Sequence, residues 1–260
     1  MGVIDTKNWL KESRNPIELC EKLEKYFHHL QAEEIHHYLS QYGMLRTGYE
    51  HWLVKADDSN IWTKANNIFL KLKKRWNGPD VPIFIFPVEE RKSFFGRDFK
   101  GRSGLSFQDK MFLFLSPDVK NDELIALLIH EYHHICRLRK NPKHEKDYTL
   151  LDAIILEGLA EHTVYRTIGE QHVTNWVKKY SKRQLYSWWK NLIVPNQDIK
   201  WDHPLFDQLL FGKGFYPTML GYAIGYDIVQ TFYKQKPFST KESFYLPAEQ
   251  FVESYEGAVR

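Results

Sequence analysis

Cysteine is scarce in this chain: Cys20 and Cys136 are the only two among 260 residues. A secreted disulfide scaffold needs more, at patterned spacing, so none is expected. Cys136 lies in an apolar helical stretch and reads as a buried thiol. Long apolar runs are missing as well. No segment approaches the ~18 uninterrupted apolar residues of a membrane span. The start, MGVIDTKNWLKES, lacks a basic region followed by an apolar one, so no secretory signal is expected. Met1-Gly2 with Thr6 fits only the loose myristoylation pattern. Charge of one sign is lacking too. A formal net charge of +3 is too small a bias to draw the chain to nucleic acid or to a membrane surface. There is no internal repeat, no low-complexity tract and no clear linker. What these absences leave is a soluble, cytoplasmic protein with no nucleic-acid or membrane partner.

What is present is a large apolar and aromatic content, 43% and 15% of residues, enough for one large domain or two closely packed ones. The first 80 residues read as an N-terminal helical region. Asn15-Pro16 opens a helix at the position where proline is tolerated, and Leu19, Leu23, Tyr26, Phe27 and Leu30 follow at helical spacing. His29, Glu33 and His37 step by four and share a face if that region is one helix. Exposed or capping histidines are the plainer reading. A second helix is expected from Ile61 to Trp76, ended by Asn77-Gly78-Pro79.

Residues 81–260 then read as a second region, packed with the first as one unit. Val81 to Val88 is a short apolar run bounded by proline and charge, which predicts a strand. Gly101–Phe107 and Met111–Leu115 flank a polar turn and predict a hairpin. Helices are expected over 121–138, 150–168, 172–194 (broken near Ser181) and 217–233, with a short one from Pro247. The fold class is therefore α+β, mostly helical, with a small sheet just before the central helix.

That central helix carries LLIHEYHHICRL. His130 and His134 are four apart, so both project from one face. The spacing lets two imidazoles reach one tetrahedral ion at ~2.0–2.1 Å. Glu131 then lies beside the ion, where a carboxylate can take a proton from metal-bound water. A strongly apolar helix follows, containing ILEGLAEH. Glu157 and Glu161 lie four apart on it. Burying two carboxylates there is costly without a metal or a cationic partner. Glu157 as third ligand, with Glu161 supporting a ligand histidine, resolves that cost. Gly158 would let the two helices approach closely. His133 is an alternative to His134, although it would leave Glu131 without its role. His162 either ligates or packs nearby. A closed structural zinc site is disfavoured, because such sites prefer four Cys/His ligands.

At these residues the sequence resembles the zincin metallopeptidases of the gluzincin type, in which two histidines of one helix and a glutamate of a later helix hold zinc. EGLAE at 157–161 is similar to the glutamate helix of the aminopeptidase N and thermolysin groups. Those groups often have Asn just before the ligand, where this chain has Leu156. More narrowly, the ordered set of hairpin, HEYHH, EGLAEH and GYAIGYDIV, from about Val81 to Thr231, resembles the YjaZ-like family of predicted zinc-dependent proteases. The resemblance implies a zincin-like fold, a Zn2+ cofactor and a peptide or protein substrate that adds to the sheet near Leu105 or Met111 by backbone pairing. It also points to the segment around Gly221 and Gly225. The two glycines read as sites of close helix packing, and Tyr222 as the donor of a phenol to a developing oxyanion. Tyr216, Tyr226 and His203 are the alternatives. Two other functions compete with a peptidase: a metal-binding module without catalysis, and a zinc hydrolase of a non-peptide amide.

Overall fold

The strand and the hairpin expected between residues 81 and 115 form, and a fourth strand joins them. The computed structural model describes residues 1–46, 49–89 and 101–258. The fold is α+β, mostly helical, with one mixed four-stranded sheet. Residues 1–135 and residues 136–260 make two compact units, and the division falls inside the central helix.

In the first unit the sheet order is β1 (Gly2–Val3), β2 (Pro82–Pro87), β4 (Met111–Leu115), β3 (Arg102–Ser106). β1 and β4 both run parallel to β2, whereas β3 and β4 form the antiparallel hairpin with Leu105 opposite Phe112. β2 and β4 read PIFIFP and MFLFL and are buried at every position, as unbroken apolar runs in interior strands should be. β3 forms the edge and is only half-buried throughout.

Helices α1 (Thr6–Glu12), α2 (Pro16–Glu21), α3 (Ala32–Gln41), α4 (Glu50–Asp58) and α5 (Ile61–Trp76) belong to the same unit. α5 has the expected limits. Ile61, Ala65, Phe69, Leu72 and Trp76 are its buried stripe, and Asn77 ends it in the left-handed conformation with φ 51°. The helix expected to run on from Pro16 is shorter. Asn15 caps α2 as anticipated, its side chain accepting from the Ile17 N–H at 3.0 Å, but the chain leaves the helix after Glu21 and makes a 3-10 turn at Glu24–Tyr26. That turn delivers Phe27 against Phe107 and Phe112, at 5.6 Å from each ring. His29, with φ 81°, then precedes α3 instead of lying on it. His29, Glu33 and His37 consequently do not share a helix face, and among the described residues they form no metal-capable group.

α6 (Asn121–Lys140) has acidic residues in its first turn and basic ones in its last, which suits its macrodipole. Tyr132 fixes its rotation within the first unit. The ring stacks on Trp76 at 5.6 Å and meets Phe69 edge-on at 5.1 Å, and the hydroxyl donates to the Pro79 carbonyl at 2.9 Å. Arg102 of β3 adds an ion pair with Glu123 at 2.6 Å.

The second unit is helical: α7 (Leu150–Ile168), α8 (Lys182–Trp188), α9 (Pro204–Phe211), α10 (Leu220–Gln235), α11 (Thr240–Ser243) and α12 (Ala248–Ala258). Thr149 and Asp152 close a reciprocal capping box at the start of α7. Ile154, Ile155 and Leu159 of α7 share one core with Ala223, Ile224 and Ile228 of α10 and with Trp189 and Phe251. Gly158 and Gly225 make this possible, because a methyl on either would collide with the backbone of the opposite helix. The helix packed against Gly158 is thus α10 and not the expected histidine helix, and Gly221 lies close against Leu210 of α9. The helix expected over 172–194 is broken, as anticipated at Ser181, which caps α8, but also into 3-10 turns before it and a π-turn at Trp189–Ile193 after it. Among the described residues no helix is long and apolar enough to cross a membrane.

Candidate metal centre

One turn of α6 brings the rings of His130 and His134 to 4.6 Å between centroids, at 86° to each other. Ligand atoms of His130, His134 and Glu157 all lie within 4.8 Å of one another. Donors held at ~2.0–2.2 Å by one ion stand within about 4 Å of each other, so small side-chain rotations close the set. Two imidazoles and one carboxylate are the donor chemistry of an open zinc site, with a fourth position left for water or substrate. His134 is buried, whereas His130 and Glu157 are partly exposed, so the group can be reached from solvent. The residues present therefore fit a divalent ion such as zinc.

Glu131 is not part of that donor group. It is buried, with 6% of its surface exposed. The Ser106 hydroxyl donates to its Oε2 at 2.7 Å and lies 3.0 Å from its backbone carbonyl oxygen. Gly104, two residues earlier on the same face of β3, leaves the space for this side chain. A methyl there would overlap the Glu131 carboxyl group. Sequence reasoning missed both contacts. The available signal was two small residues on one face of the strand before the histidine helix.

Glu161 is buried to the same extent, and its carboxylate accepts the backbone N–H of Thr174. His133 is fully buried, with its ring 6.3 Å from Trp76 and edge-on to it, and the metal-capable group contains His134 in its place. His162 packs instead of ligating. Its ring lies 4.8 Å from Tyr233 and 5.6 Å from Phe238. Burial, reinforced by the Arg166 charge, pushes its pKa down to about 4.

The late tyrosines divide. Tyr222 is half-buried, with its ring 5.8 Å from Phe211. The Tyr226 hydroxyl accepts from the Gln230 amide at 2.7 Å. Burial raises its pKa above the usual phenol range, with the negative charge of Glu161 contributing in the same direction. His203 is exposed and caps α9, its Nδ1 accepting from the Leu205 N–H at 3.2 Å. Arg137, one turn beyond His134, is buried. It donates to the Ser243 carbonyl, and burial pulls its pKa down to about 10.

Residues 61–253 match the model of a family described as predicted Zn-dependent protease (DUF2268). The chain is 40% identical over 259 residues to the uncharacterized protein YjaZ of Bacillus subtilis (strain 168), covering 98% of this chain and 99% of that one. It is 24% identical over 190 residues to the uncharacterized protein YjfC of the same organism, covering 68% of this chain and 62% of that one. No solved structure matches the chain.

Proposed function

Because the chain belongs to this family of predicted Zn-dependent proteases, we propose that it is a zinc peptidase of the gluzincin type. The observation that carries the reading is the convergence of His130, His134 and Glu157 beside a buried carboxylate, Glu131, that is not one of the donors. Metal binding alone has no need of Glu131, whereas hydrolysis has.

His130 and His134 would each offer a neutral ring nitrogen, and Glu157 a carboxylate oxygen. Zinc held there supplies a Lewis acid for the scissile carbonyl and acidifies water. Glu131 accepts the proton of the attacking water at its carboxylate and returns it to the leaving amine. Glu161 supports a ligand histidine from the same helix as Glu157. Tyr222 donates its phenol to the charge that develops on the carbonyl oxygen, with Tyr226 the nearest rival on that helix. An extended peptide would pair with β3, the half-buried edge strand.

Elemental analysis of chelator-free protein should find about one zinc per chain, lost in His130→Ala and in His134→Ala. Glu131→Gln should keep the metal and lose roughly 10²–10⁴-fold in peptide turnover, the usual contribution of a positioned base. Glu157→Ala should weaken zinc binding more than Glu161→Ala, whose cost should be roughly 10–100-fold. Full zinc retention in both histidine variants would remove the site. A zinc-loaded parent that cleaves nothing in a broad peptide library would leave a metal-binding module instead of an enzyme.

A further inference from the structure

Resting on the reading of Glu131 as base, we propose that Ser106 is the positioning residue that aims its carboxylate, with Gly104 providing the space in which the carboxylate sits. A buried carboxylate needs hydrogen-bond donors, since an unpaired charge away from water is costly. For Glu131 that donor is the Ser106 hydroxyl, at 2.7 Å from Oε2. A hydroxyl has one proton. The Glu131 carbonyl oxygen also lies within reach at 3.0 Å, but the carboxylate is charged and closer, so it takes the bond. Oε1 lies over Gly104, where any β-carbon would displace it. One oxygen is thus tied to the strand and the other is left to take the proton.

Ser106 is well placed to hold a fixed aim. Its backbone is locked by the hairpin ladder, opposite Met111, and Gly104 is locked opposite Leu113. A serine adds a single short side-chain torsion, so little freedom remains in the donor. On the other side, Tyr132 fixes the rotation of α6 one residue after Glu131. Strand propensity does not explain the serine, because a half-buried edge position favours a β-branched residue. On this reading a peptide pairs with the backbone of β3, whereas the Ser106 side chain is engaged with Glu131. It acts through Glu131.

The test uses the full chain and the peptide that the parent cleaves best. Ser106→Ala should lower kcat roughly 10–100-fold, the usual range for an outer hydrogen bond that orients a site. KM and zinc content should stay at the parent's values. Ser106→Thr, which keeps the hydroxyl, should recover most of the rate. In a Glu131→Gln background the Ser106→Ala change should add nothing further, because the two residues act as a unit. A second cycle needs no substrate: thermal melting should show Ser106→Ala costing more in the parent than in Glu131→Ala. The inference is overturned if Ser106→Ala turns over normally, if Thr is as slow as Ala, or if the melting cycle shows no coupling. Glu131→Gln at the parent's rate would instead remove the base itself, so the two failures are distinguishable.

Discussion

Two glycines, Gly104 in the sheet region and Gly158 in the helical region, face opposite kinds of obstacle. A methyl at 104 would meet the far end of the Glu131 side chain, whereas a methyl at 158 would meet the backbone of Gly225 and Tyr226. A carboxyl group on a flexible stem can swing aside. A helix backbone held by its own hydrogen bonds cannot, so the whole helix has to shift. The helical region is therefore rigid where α7 crosses α10, and damage there should appear as lost stability. At Gly104 it is the Glu131 side chain that yields while the strand stays paired, and damage there should appear as lost chemistry in a folded protein.

Gly158→Ala should give the largest effect. Forcing α7 and α10 apart should cost up to about 3 kcal/mol, typical of overpacking a close contact, read as a lower midpoint in thermal melting. A midpoint equal to the parent's would mean that the crossing can slide. Gly104→Ala should invert the pattern. It should melt closer to the parent than Gly158→Ala does, yet lose on the order of 100-fold in turnover, as expected of a reacting group displaced by about an ångström. Parallel losses of stability and rate in both variants would erase the distinction between the regions.

A smaller effect extends the comparison to His162. Glu131 and Glu161 each receive a donor, from a hydroxyl and from a backbone amide, but neither ring nitrogen of His162 has a hydrogen-bond partner among the described residues. Its folded pKa, about 4, lies below the ordinary 6.5, so as pH falls the unfolded chain binds the proton first. Stability is then complete above pH ~6.5 and is eroded as pH falls toward ~4. Between pH 7 and 5 the loss should be about 2 kcal/mol. Melting of the parent and of His162→Phe at both pH values checks this, with the variant showing the flatter response. Equal slopes would mean that the ring is hydrated.

The elements legible in the sequence were those with long apolar stripes and marked ends. α5 and α7 have the expected limits because Asn77 and Thr149 close them with cap chemistry. α1, α4 and α9 are too short for periodicity to stand out, and β1 has only two residues. Over 172–194 side-chain spacing could not separate 3-10, α and π turns, because over only three to seven residues of each the difference in residues per turn does not accumulate. In the site, the His130–His134 pair was legible from its interval along one helix, and Glu157 from the acidic pair that it forms with Glu161 on the apolar helix that follows. Ser106 was not, because it meets Glu131 from a strand 25 residues away, and spacing within one element carries no information about contact with another.

The order of the sheet also shapes how the chain reaches this fold. β1 pairs with β2, so residue 2 must wait for residue 82. Closing a loop of that length costs on the order of 4 kcal/mol of chain entropy, and two residues of pairing offset little of it. The β3–β4 hairpin, whose ends lie close along the chain, has no such delay. β1 should accordingly dock late, leaving one side of β2 open during folding. An exposed run such as PIFIFP invites pairing with another chain. Its prolines, Pro82 and Pro87, stand at the two ends of that strand without an N–H to offer, so a segment left open to pairing while the protein folds is also blunted at both ends.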